Sequence, residues 1–200
     1  MMMLWIPIIN CTFINNTADG NEAISNSGVN STIKDCTFIN NTTIGTTGGA
    51  IYNWGSNFTV VDSTFINNKA SSGKPIYNHP RFSGSITTND NWWGNNEPNW
   101  IELVNGTVYH DTFAVLNLTA DTDYVSVSFF KNGTSTIVPI SRGFTLTIGN
   151  KTENKEIVDG KFSERYDAPS GYYVITTVVD SQKVNVSLIN NNQIYVDPVM

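Results

Sequence analysis

Hydrophobic and polar positions in the first hundred residues recur in blocks. Phe13-Ile14-Asn15-Asn16 returns as Phe38-Ile39-Asn40-Asn41 and Phe65-Ile66-Asn67-Asn68, then in degenerate form as Trp93-Gly94-Asn95-Asn96. The aromatic positions are spaced by 25, 27 and 28 residues. Ala23-Ile24-Ser25-Asn26 is matched at the same period by Ala50-Ile51-Tyr52-Asn53 and Pro75-Ile76-Tyr77-Asn78. A third column precedes the aromatics: Asn10, Asp35, Asp62 and Asp90, each followed by Cys11, Cys36, Ser63 or Asn91. Three columns in one register define a repeat.

Each unit holds two or three short β-rich stretches parted by Asn, Asp or Gly, and none contains a helical pattern long enough for a βαβ crossover. This predicts coils of a parallel β-helix, stacked at the inter-strand spacing so that like residues lie over like. Phe13, Phe38, Phe65 and Trp93 then form an interior aromatic ladder. Ile24, Ile51 and Ile76 form an aliphatic one, as do Ile33 and Val60. Asn tolerates left-handed corners, and stacked Asn side chains bond between coils. About four coils make a stack roughly 15 to 20 Å tall. Trp92, Trp93 and Pro98 are expected to close its base. Nothing convincing closes the top, and the apolar start Met1 to Ile9 has no basic region or cleavage site. The expectation is a segment of a longer protein.

Phe38-x-x-Asn41 followed by Gly48-Gly49-Ala50-Ile51 resembles the paired repeats of polymorphic outer-membrane proteins. With Asn91-Trp92-Trp93-Gly94-Asn95-Asn96-Glu97-Pro98, the pattern resembles adhesin-like surface proteins of methanogenic archaea. That resemblance implies a right-handed β-helix followed by an immunoglobulin-like domain, at the cell surface. Only the second coil carries the full Gly-Gly-Ala-Ile; Asn21-Glu22 and Lys74-Pro75 replace the glycines in the others.

After Pro98 the pattern changes. Residues 99–112 read as a transition with a turn at Asn105-Gly106. From Phe113 onward, strands are expected at Phe113 to Ala120, Tyr124 to Lys131, Phe144 to Ile148, Gly160 to Tyr166, Tyr172 to Val179 and Val184 to Ile189. Asn132-Gly133 and Asp159-Gly160 are hairpin-type pairs. The division is thus a β-helix over 1–98, a transition over 99–112 and a β-sandwich over 113–200. Gly171-Tyr172-Tyr173-Val174-Ile175 resembles the tyrosine-corner entry of immunoglobulin-like domains, with Ile175 where the family's second Cys stands.

Composition narrows the function. The chain has 200 residues, and Asn and Thr number 27 and 23. Charged residues are 14% of it, about half the usual share. The net charge is -6, and no basic patch suits nucleic acid. No apolar run reaches the roughly 18 residues of a membrane helix. Strong helix formers are scarce, whereas Thr, Val and Ile abound, so the fold class is all-β.

Candidate chemistry is thin. Cys11 and Cys36 stand one coil apart with parallel Cβ vectors, which suits a disulfide poorly. Asp35, Asp62 and Asp90 form a row that mimics a catalytic or calcium array, but their corner position argues for turn chemistry. Arg81 is the only Arg of this half. His79 and His110 are solitary, so no metal or cofactor site is expected. Eleven N-x-S/T sequons occur, with Asn57 and Asn132 the candidates for glycosylation on solvated loops. If Ile51 and Ile76 point inward, Tyr52 and Tyr77 point outward with Trp54 nearby. Such aromatics bind sugar rings or anchor proteins. The reading is a non-enzymatic, extracellular adhesin-like or structural segment whose partners are host or microbial surface glycans or proteins. The alternative is a fragment of a polysaccharide lyase or hydrolase with its catalytic coils elsewhere.

Overall fold

The computed structural model describes residues 7–19, 23–44, 48–71, 74–80, 84–167 and 170–190. The apolar start through Ile6, Asn21, Glu22, Arg81 and the end of the chain from 191 lie outside them.

The repeat folds as a parallel β-solenoid in which each complete coil contributes four strands. Coil one supplies β1 (Ile8–Ile9), β2 (Thr12–Ile14), β3 (Thr17–Ala18) and β4 (Ile24–Asn26). Coil two supplies β5 (Thr32–Lys34), β6 (Thr37–Ile39), β7 (Thr42–Thr43) and β8 (Ile51–Asn53). Coil three supplies β9 (Phe58–Val61), β10 (Thr64–Ile66), β11 (Lys69–Ala70) and β12 (Ile76–Asn78). Like strands pair in register: Phe13 with Phe38, Phe38 with Phe65, Ile24 with Ile51, Ile51 with Ile76, and Ile33 with Val60. The ladders read from the sequence are therefore present.

The coil count needs correction. Three coils are complete and the fourth is partial. It holds β13 (Ile86–Thr87), a bridge from Trp92 to Thr64, and a short α1 (Trp100–Leu103). The segment 99–112, read as a transition, belongs to the stack: β14 (Val104–Asn105) pairs with β12, and β15 (Val108–Tyr109) pairs with β13. Val104 and Val108 continue the inward columns of Ile76 and Ile86, which is why this stretch adds rungs.

Backbone geometry explains the Asn and Asp columns. Asn10, Asp35, Asp62 and Asp90 all have φ between 52° and 58°. Asn15, Asn40 and Asn67 lie between 54° and 56°, and Asn30 and Asn57 at 58° and 54°. These corners use the two residue types that tolerate left-handed backbone best. Asn16, Asn41 and Asn68 bond amide to amide at 2.8 and 2.9 Å, as do Asn26, Asn53 and Asn78 at 2.7 and 2.8 Å. The paired glycines of coil two have separate reasons. Gly48 sits at φ 87°, and a Cβ on Gly49 would lie 2.3 Å from the Lys69 carbonyl oxygen.

The rings of Phe13, Phe38 and Phe65 stack at 4.9 and 4.8 Å, and Trp93 continues below Phe65 at 4.8 Å. The strand ladder imposes this spacing, because rings left to themselves prefer offset or tilted contacts. Trp92 and Trp93 point to opposite faces, as neighbours on an extended chain must. Trp93 faces inward, where Trp100 meets it edge-on at 5.5 Å and closes the base. Trp92, expected at the base, instead leaves the solenoid core.

The remaining strands are β16 (Ala114–Ala120), β17 (Tyr124–Lys131), β18 (Arg142–Ile148), β19 (Lys151–Ile157), β20 (Lys161–Arg165), β21 (Gly171–Val179) and β22 (Gln182–Asn190). They form two antiparallel sheets, β16-β17-β20 and β19-β18-β21-β22. Leu116, Val127 and Phe129 from one sheet share a core with Phe144, Leu146 and Ile175 from the other. Strand β19 was not expected. Its Lys-Thr-Glu-Asn-Lys-Glu run lacks apolar alternation, and the structure puts it at a sheet edge, where charge deters further pairing. The Asp159-Gly160 turn has φ of 48° and 79°. It carries the chain from one sheet to the other, as β19 and β20 pair with different partners.

Trp92 is fully buried in this second core, with Ile66 beside it. The outer column Ile14, Ile39, Ile66 shows how the units meet. Ile14 is 46% exposed, Ile39 is half-buried, and Ile66 falls to 9%. The antiparallel unit thus covers one solenoid face from the base upward. Among the described residues, no helix is long and apolar enough to cross a membrane.

Candidate functional site

The outward residues of β4, β8, β12 and β14 form the column Ser25, Tyr52, Tyr77, Asn105. Tyr52 and Tyr77 stack at 5.1 Å with their planes 12° apart. Two residues further on, Trp54 stacks on His79 at 4.8 Å and 7°. Tyr52 touches Trp54 at a tilt, with ring centroids 4.9 Å apart. The structure therefore joins the three predicted residues and adds His79, which sequence reading left solitary. A signal for it existed: Trp54 and His79 are 25 residues apart, like Tyr52 and Tyr77.

Packing changes what this wall offers. Tyr52 points outward but keeps only 8% exposure, because neighbouring rings enclose it. Trp54 is 41% exposed and Tyr77 half-buried. Stacking along the solenoid axis turns ring faces toward adjacent rungs. Edges and polar tips thus face outward, suited to hydrogen bonding and van der Waals contact beside a polar ligand.

The Asp row serves the corners. Lys34 lies 3.6 Å from Asp62, and Lys131 reaches Asp90 at 2.8 Å. Burial pushes the Asp62 carboxyl above its usual range; Lys34 opposes this, while Asp35 and Asp90 add to it. The second of those ion pairs ties the solenoid to β17. Among the described residues, no group of three His, Cys, Asp or Glu is placed to hold a metal.

The column after the acids is a hydrogen-bond relay. Cys11 N–H donates to Cys36 Sγ at 3.4 Å, Cys36 N–H to Ser63 Oγ at 3.0 Å, and Ser63 N–H to Asn91 Oδ1 at 2.8 Å. Each side chain accepts from the backbone of the coil before it, so Cys, Ser and Asn are interchangeable in role. Both cysteines are free thiols. Cys36 donates to the Lys34 carbonyl at 3.1 Å, and burial holds its thiol above the ordinary value.

The two sequon candidates are already employed. Asn57 is exposed, but its amide donates to Asn30 Oδ1 at 3.0 Å, and Phe58 within the sequon is buried. Asn132 Oδ1 accepts from Phe113 N–H at 2.7 Å. Asn150 is the sequon better placed for modification, exposed in the turn between β18 and β19 beside Gly149 at φ 58°.

Tyr173 does not make the backbone bond expected of a tyrosine corner. Tyr173 Oη pairs with Tyr166 Oη at 2.9 Å, and Tyr166 donates in turn to the Asp121 carbonyl. The bond to upstream backbone is thus made by Tyr166. Its hydroxyl titrates far above the ordinary value, through burial first and the Tyr173 contact second.

No family model, curated protein or solved structure matches the chain.

Proposed function

We propose that this chain is a non-enzymatic segment of an extracellular surface protein, in which the solenoid presents a binding wall and the antiparallel unit acts as spacer or adhesion module. The observation that carries this is the junction at Asn91 to Asn96. It splits its two tryptophans between two cores and binds Leu116 and Gln182 through Asn96, at 2.6 to 2.9 Å. Such a joint transmits force and fixes the direction in which the wall faces. The repeat motifs, like those of adhesin-like archaeal proteins, support the surface location. So does the neutral-polar surface with its many sequons.

The antiparallel unit is read as immunoglobulin-like. Numbered within the unit, its strand order of 1-2-5 against 4-3-6-7 supports this, differing from the constant-type arrangement only in where the fourth strand pairs. The corner placement of Asp35, Asp62 and Asp90 favours the non-enzymatic reading over a lyase or hydrolase fragment.

The test is binding of the purified chain to a glycan array and to intact cells. Retention by the unmodified chain, reduced by Trp54→Ala and by Tyr77→Ala, is the expected result. No retention, or equal retention by the variants, refutes the presentation role of this wall.

A further inference from the structure

The corner column Asn10, Asp35, Asp62 and Asp90 meets the antiparallel unit at its base, where Lys131 pairs with Asp90. Higher up the column, a cavity of about 660 Å³ lies between the two units. That volume falls within the roughly 300–1,000 Å³ of ligand pockets. Asp35, Asp62 and Thr64 line it from the solenoid, and Pro139, Ser141 and Asp159 from the antiparallel unit. It shares no residue with the ring wall of β8 and β12.

The charges in this cavity do not balance. Lys34 is taken up by Asp62 at 3.6 Å. Asp35 and Asp159, one on each wall, are exposed and have no ion pair or side-chain hydrogen bond among the described residues. Their backbones are nonetheless fixed. Asp35 sits at a left-handed corner with φ 53°. Asp159 has φ 48°, and its N–H donates to Ser141 Oγ at 3.0 Å. Neighbouring groups feel the excess. Burial first, with the Asp35 charge adding to it, pushes the Asp62 carboxyl and the Cys36 thiol above their ordinary values.

Thr64 gives an independent sign of a missing partner. It is 2% exposed and lines the cavity from the outward side of β10, opposite the inward Phe65. Its hydroxyl has no hydrogen-bond partner among the described residues. Its oxygen is also not one of the unpaired polar atoms sealed from solvent, as Trp93 Nε1 is. The oxygen is thus reachable from the cavity that its side chain lines.

The complement of this lining is a cation with several N–H donors. Among the described residues, no three His, Cys, Asp or Glu are placed to hold a metal, so an organic cation fits better. An ammonium has three donors and no acceptor. Ile9, 51% exposed, and Pro139 give the cavity an apolar border, which suits a charge carried on a methylene stem. We propose that the cleft receives a lysine side chain of a peptide or protein partner, its ammonium between Asp35 and Asp159 and its stem along Ile9 and Pro139.

The experiment titrates the full chain, labelled with 15N, with the blocked tripeptide acetyl-Gly-Lys-Gly-amide and follows backbone amide signals by NMR. The comparison probes are the same peptide with its lysine acetylated, and glucosamine. Asp35→Asn and Asp159→Asn remove charge while keeping a residue type that accepts left-handed backbone, as Asn10 does in the same column. Asp19→Asn, outside the cavity, controls for net charge. The expected result is a saturable shift of signals on both walls with the lysine peptide and none with its acetylated form. Affinity should be about two- to fivefold weaker in each cavity variant and unchanged in Asp19→Asn. Unmoved signals, equal shifts with the acetylated peptide, or cavity variants that bind as the unmodified chain does overturn the proposal. Glucosamine binding as tightly as the peptide overturns the choice of a lysine stem.

Discussion

Trp92 and Asp180 stand 88 positions apart in the sequence and share one hydrogen bond, the indole Nε1 donating to the carboxylate at 2.7 Å. Asp180 also pairs with Arg142, so a solenoid residue joins an ion pair of the antiparallel unit. Phe129 packs against the same indole with ring centroids 4.9 Å apart. The bond seats Trp92 by a polar contact as well as an apolar one.

Replacing Trp92 by Phe keeps a ring near Phe129 and removes the donor. Hydrogen bonds to charged groups contribute about 1.5–3 kcal/mol. Chemical denaturation of Trp92→Phe should show a loss of at least that size, because volume is lost too. A wild-type unfolding curve would show that the junction carries no energy.

Phe38 is fully buried between Phe13 and Phe65. Truncation to Ala opens a cavity that two flanking rungs, held by strand hydrogen bonds, cannot close. The expected cost is about 3–5 kcal/mol, read from the denaturation midpoint, and Phe38→Leu should recover much of it.

Gly49 tolerates no side chain. The atom in the way is backbone oxygen of β11, which cannot rotate aside as a flexible side chain would. Gly49→Ala should therefore sit at the upper end of the about 1–3 kcal/mol typical of overpacking. Gly133, whose Cβ position meets nothing within 4 Å, makes a control for loss of glycine, since only its φ of 70° opposes substitution.

Asp62 gives a pH prediction. Its folded carboxyl titrates above the ordinary value, so the folded state holds this proton more tightly than the unfolded state. Between the ordinary carboxyl range and the raised one, stability falls as pH rises through this group. Asn at this left-handed corner already occurs as Asn10. Asp62→Asn should flatten that part of the stability profile and raise the thermal midpoint at neutral pH. An unchanged profile would mean that the Lys34 pair fully offsets burial.

Cys11 and Cys36 are free thiols engaged with backbone groups. Mild reductant should leave the unfolding midpoint unchanged, and a drop would reveal a bridge. Cys36→Ser should be tolerated, because Ser63 performs the same relay one coil below.

Much of this molecule was legible in the primary structure because a solenoid converts sequence period into spatial contact. Residues 25 to 28 positions apart become neighbours, so the aromatic ladder, the aliphatic columns and the left-handed corners follow from the period alone. The limits of the stack could not. Residues 104–109 add rungs through isolated valines, too few to show a motif, and β19 is charged because an edge strand needs no apolar face on both sides. His79 carried the right spacing but not the expected residue type.

Tertiary structure alone decided the rest. Adjacent tryptophans look equivalent in a chain, but the alternation of an extended strand sends Trp93 into the ladder and Trp92 into the other core. Asn96 has the residue type to continue the Asn ladder, and it binds Leu116 because Gly94 lets the chain leave the coil. Tyr52 points outward as its column required and is nonetheless buried, since exposure depends on the rings around it. The sequence determined which residues stack, through a local and repeated pattern. Which residues join the two units, and where a cavity is left, rested on contacts between segments with no shared period.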